Sequence, residues 1–93
     1  MIILLITLRL RAPWCRSLKD KRSLVKPLIL SLRRSFNASV SESGLQDSHT
    51  LIELQIAALA ADAAQADSVA ESLYRAVETA TDAEIIEWAS EVR

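Results

Sequence analysis

Ile2, Leu4, Ile6, Leu8 and Leu10 occupy every second position at the head of the chain. A period of two places all five on one face of an extended strand, and a face that apolar has to be covered. The alternate positions start apolar (Ile3, Leu5) and turn polar (Thr7, Arg9), so the strand is expected to be central where it begins. Arg11–Arg16, which contains Pro13, reads as a loop. Behind it, Leu18, Val25, Leu28, Ile29, Leu32 and Phe36 recur at helical spacing within about a 100° arc, wide enough for a core-facing stripe. Ser17-Leu18-Lys19-Asp20 has the form of a capping box at the start of that helix. Pro27 interrupts the pattern, because proline removes one hydrogen bond and clashes with the carbonyl of Ser23. The spacing predicts a kink at Pro27, or a helix that begins near Ser23 after a loose turn.

The remaining chain repeats the theme. Ala38–Glu42 reads as a short strand with Val40 inward, and Ser43–Ser48, holding Gly44, the only glycine, as a turn. In Thr50–Ala61, Ile52, Leu54 and Ile56 alternate with Glu53 and Gln55, which suits an antiparallel hairpin with the preceding strand. Asp62-Ala63-Ala64-Gln65 caps a second, Ala-rich helix reaching about Ala80. Glu84–Val92 closes the chain as a strand, with Ile86, Trp88 and Val92 predicted inward, opposed to Glu87 and Glu91. The order β-α-β-β-α-β is that of the ferredoxin-like, α+β sandwich: a four-stranded antiparallel sheet with two helices on one face. Residues 1–93 are expected to form a single domain.

Composition narrows the function classes. Cys15 is the only cysteine, so neither an internal disulfide nor a cysteine cluster for zinc is expected. The apolar opening Met1–Ile6 is too short to span a bilayer, and no membrane role, cofactor or small-molecule substrate is expected. A reduced, cytoplasmic setting follows as the default. A Gly-rich phosphate loop is missing, and so are the G-x-x-G loop of KH domains and the glycine-rich loop of acylphosphatases. Neither inner strand carries the aromatics on which an RNA-recognition motif stacks bases.

Charge is distributed unevenly. Residues 1–34 contain nine of the eleven Lys and Arg and one acid, whereas residues 35–93 contain two cations and eleven acids. Such asymmetry marks either a nucleic-acid surface or two halves that neutralise each other. On a helical wheel Lys19, Arg22, Lys26 and Arg33 fall within about 60°, with Arg9, Arg11 and Arg16 arriving just ahead of the helix. Lys21 falls among the apolar positions, so either the first turn projects beyond the sheet or Lys21 snorkels past its edge. The candidate phosphate contacts are Arg11, Arg16, Lys19, Lys21, Arg22, Lys26 and Arg33; the alternative is a solvated face whose cations pair with acids of the second helix.

Ser17-Leu18-Lys19-Asp20-Lys21-Arg22-Ser23 and Phe36-Asn37-Ala38-Ser39-Val40-Ser41-Glu42 resemble stretches of the YlxP-like family of small uncharacterised bacterial proteins, and Asp47, Asp62 and Ala66-Asp67-Ser68-Val69 are similar to later family positions. The resemblance implies the ferredoxin-like fold and no particular reaction. Genes of that family often lie beside those for transcription and translation factors, including a ribosome-binding factor. Together with the basic segment, this leads to the expectation of a non-enzymatic accessory factor docking on structured RNA or a ribonucleoprotein, the ribosome among them.

A second expectation is a protein-interaction or homodimerisation module. A ferredoxin-like sheet leaves one face uncovered, on which Ile3, Leu5, Leu51 and Leu59 are expected to form an apolar patch. Trp14 either folds back over the sheet edge or anchors a partner. Asp47, His49 and Cys15 lie in loops with no flanking elbow or metal spacing, and read as polar loop residues rather than a catalytic set.

Overall fold

The computed structural model describes residues 1–93. Its elements run β1 (Ile2–Arg11), α1 (Leu18–Ser35), β2 (Ala38–Glu42), β3 (Leu51–Ala60), α2 (Ala63–Ala80) and β4 (Glu84–Val92). The four strands form one antiparallel sheet in the order β2-β3-β1-β4. This is the ferredoxin-like α+β arrangement expected from the order of periodicities. β1 and β3 take the two central places, as befits the two strands with the longest apolar alternation.

The inward face of β1 meets that of β3 in register, with Ile6 opposite Ile56 and Leu8 opposite Leu54. Val25, Leu28 and Leu32 of α1 and Leu73 and Val77 of α2 close over them, and all are almost wholly buried. Each such side chain contributes about 1.5–3 kcal/mol by leaving water. At the edge of this core, Tyr74 of α2 meets Trp88 of β4 edge to face, with ring centroids 4.9 Å apart.

One expectation needs correction. In β4 the inward residues are Ile85 and Trp88, not Ile86 and Trp88. The β1–β4 register shifts between Arg9 and Leu10, so that Leu8 faces Trp88 while Leu10 faces Ile85. The extra residue of this bulge leaves Ile86 46% exposed. Val92 is exposed as well, because it sits at the far end of β4, opposite Leu4.

In α1 the alternative of a start near Ser23 falls away. The helix starts at Leu18, on the Ser17 cap, and continues through Pro27 to Ser35. Pro27 is tolerated because it lies on an exposed face, where the Ser23 carbonyl that loses its amide donor is left to solvent. Both helix starts use a variant of the capping box. Ser17 Oγ accepts from Asp20 N (3.1 Å) and Asp62 Oδ1 from Gln65 N (2.9 Å). The return bond goes one residue further out: Asp20 accepts from Arg16 N and Gln65 from Ala61 N.

Candidate nucleic-acid interface

The fold sorts the cations of residues 1–34 by where their element points. Odd-numbered residues of β1 face away from the helices, so Arg9 and Arg11 lie on the open side of the sheet. There Arg9 Nε sits 3.1 Å from Glu53 and 3.3 Å from Glu87, one acid on each neighbouring strand. Arg11 pairs with Glu84 at 3.0 Å. Arg11 is therefore neutralised and on the opposite layer from α1, and does not extend the helix cations as expected.

Lys21 is a second correction. It is 3% exposed, its Nζ donating to the carbonyls of Leu45 (2.8 Å) and Ser48 (2.7 Å) and lying 3.0 Å from Glu42 Oε2. An amine enclosed by three oxygens has no donor left for a phosphate. It neither projects nor snorkels: its place among the apolar wheel positions means burial, and the β2–β3 loop supplies the acceptors.

What remains is a ridge on α1. Arg16, Lys19, Arg22, Lys26 and Arg34 are exposed and take part in none of the six ion pairs of the molecule. No ion pair joins α1 to α2, since Glu71 pairs within its own helix with Arg75. The alternative of cations neutralised by the second helix is thus overturned. Arg33 belongs to the same arc but bends toward the sheet, donating to the Val40 carbonyl of β2 at 2.6 Å. From Lys19 to Arg33 the ridge runs about 21 Å at 1.5 Å per residue. Arg34, which the wheel argument passed over, lies at its far end; its position in the last turn of α1 was the available signal.

The loop residues do not assemble into a nucleophilic site. His49 Nδ1 lies 2.9 Å from the Cys15 backbone carbonyl; the carbonyl can only accept, so the proton is on Nδ1. The Cys15 thiol is buried, and burial pushes it above its ordinary value, with the negative field of Asp20 adding and Lys21 opposing. A thiol held protonated is the reverse of an activated nucleophile.

The open sheet face also departs from expectation. Ile3 pairs directly with Leu59, and Leu5 with Ala57, so three members of the proposed patch adjoin. Leu51 does not belong with them, because it faces Arg11 at the other end of the sheet, roughly 27 Å away along β3. Between the two ends lies a shallow concavity of about 650 Å³ floored by Thr7, Ser39, Ser41 and Gln55. Trp14 is not folded into the core; it is 51% exposed on the β1–α1 loop.

Fold and site together define an α+β plait with a free cationic ridge along its first helix. The family model described as a protein of unknown function (DUF503) matches residues 3–90, and the chain belongs to that family. No curated protein matches it. No helix is long and apolar enough to cross a membrane.

Proposed function

We propose that this chain is a non-enzymatic accessory factor that docks on structured RNA or a ribonucleoprotein through the α1 ridge. The observation that carries the reading is that Arg16, Lys19, Arg22 and Lys26 stand exposed without a carboxylate partner in a molecule whose net charge is −1. Cations left unpaired while acids abound elsewhere concentrate positive potential on one side, which suits a polyanion. A convex rod of charge contacts phosphates and reads shape, without base-stacking aromatics. The resemblance to the YlxP-like family makes a bacterial, cytoplasmic ribosomal particle the first target to try.

The test is a fluorescence-anisotropy titration against a structured ribosomal RNA fragment at two salt concentrations. Four to five phosphate contacts give a log–log salt slope of roughly −3 to −5. Lys19→Glu, Arg22→Glu and Lys26→Glu combined should abolish binding while leaving the melting temperature in place. Binding unchanged by that variant, or none at low salt, overturns the reading.

A second reading, a protein-interaction or homodimerisation module, draws support from the adjacency of Ile3, Leu5 and Leu59 on the open face. It requires a mass that rises with concentration in sedimentation equilibrium. A monomer at high concentration rejects the homodimer form.

A further inference from the structure

A groove of about 570 Å³ lies beside α1, with Trp14, Ser23, Leu24 and Pro27 on one side and Ala80, Thr81 and Asp82 at the end of α2 on the other. On the α1 wheel Ser23, Pro27 and Leu24 lie about 40°, 80° and 140° from Lys19, on the side opposite to Arg22 and Lys26, so this wall borders the cation ridge at Ser23 and turns away from it towards Leu24. The Ser23 hydroxyl already donates to the Lys19 carbonyl, and the groove offers several acceptors. Pro27 has no N–H, so the Ser23 carbonyl lacks its helical donor. At the end of α2 the Val77 carbonyl receives Thr81 N at 3.3 Å, and no backbone amide from outside the helix reaches the carbonyl of Ala80, the last helical residue lining the groove. The last turn of α2 carries no basic residue, whereas that of α1 carries Arg33 and Arg34. The negative end of the α2 dipole is therefore without the cation that would complement it. Asp82 makes no ion pair and its carboxylate accepts no hydrogen bond. Above these acceptors stands the half-exposed indole of Trp14, on which none of the chain's own cations stacks.

We infer that this groove binds an arginine side chain presented by a partner protein, its guanidinium stacked on Trp14 and hydrogen-bonded to Asp82 and the free carbonyls. Arginine fits better than lysine because a planar, weakly hydrated fork both stacks on an indole and donates to several oxygens at once. The free carboxylate, the unsatisfied carbonyls and the uncovered aromatic each ask for the same group. The inference does not depend on RNA binding by the ridge.

The probe is the blocked tripeptide Ac-Gly-Arg-Gly-NH2, titrated into the ¹⁵N-labelled full chain and followed by NMR. The Trp14 indole N–H and the Ser23 and Asp82 amides should shift saturably, while the Trp88 indole stays in place. The citrulline peptide, same in shape but neutral, should shift nothing. Asp82→Asn should weaken binding roughly fivefold, the scale of one partly exposed ion pair, with an unmoved Trp88 indole reporting an intact fold. The Lys19, Arg22 and Lys26 charge-reversal variant should bind the peptide at least as well as the parent, which separates this site from the ridge. Equal shifts with citrulline, no Trp14 shift up to roughly 20 mM peptide (a dissociation constant in that range is only about −2 to −3 kcal/mol), or no effect of Asp82→Asn would each overturn the inference.

Discussion

Lys21 of α1 and Glu42 at the end of β2 meet inside the protein, Nζ to Oε2 at 3.0 Å. The contact is ionic rather than a well-angled hydrogen bond, and Glu42 Oε2 has no other donor. With its two carbonyl bonds, Lys21 ties the helix to the whole β2–β3 loop. Removing one partner of a buried pair leaves the other charge uncompensated. Lys21→Met should therefore cost about 3–5 kcal/mol, a large share of the roughly 5–15 kcal/mol that stabilises a domain, read from urea denaturation. Lys21→Met combined with Glu42→Leu should recover part of the loss, since apolar replacement of both partners removes the stranded charge.

The same loop contains two successive left-handed residues, Gly44 (φ 57°) and Leu45 (φ 52°). Leu45 is held there by the Lys21 bond to its carbonyl. A Cβ on Gly44 would lie 3.3 Å from both Glu53 carboxylate oxygens, which Arg9 and Ser43 hold in place. Gly44→Ala should cost about 1 kcal/mol or more from backbone conformation and crowding together, measured by thermal or urea melts.

Cys15 titrates above an ordinary thiol because burial disfavours the thiolate. The folded state thus holds its proton more tightly than the unfolded state. The associated stability is fully present below the ordinary thiol pKa and is lost as pH rises through the higher folded value. Reaction with a thiol reagent at neutral pH should be slow and should accelerate with urea. Cys15→Ser should flatten the alkaline loss of stability.

Pro27→Ala restores an amide donor to Ser23 in an exposed helix interior. Melting should rise by an amount corresponding to about 1–3 kcal/mol, the helix cost of proline reduced by the greater freedom of the unfolded Ala chain. By satisfying the Ser23 carbonyl, the same change should also weaken arginine peptide binding in the neighbouring groove.

The legible parts of this chain were those decided within a few residues. The alternation of Ile2–Leu10, the capping signals at Ser17 and Asp62 and the Thr50–Ala61 strand correspond to observed elements to within one or two residues. β4 was misread in its inward set because a bulge depends on how β4 pairs with β1, which its own alternation does not encode. Leu51 was grouped with Leu59 on parity alone, and parity says which face a residue occupies, not how far along it.

Charge shows the same division. The sequence alone determined that the cations gather in residues 1–34, that four of the nine share one helix arc, and that Lys21 falls among apolar positions. The tertiary structure decided which of them are free. Glu53, Glu84, Glu87 and Glu42 reach Arg9, Arg11 and Lys21 across strand pairings and a loop closure of 21 to 78 residues, and α2 presents no acid to the ridge. An ion pair needs its charges within about 4 Å, so groups that far apart in the chain become partners only when the sheet brings them together.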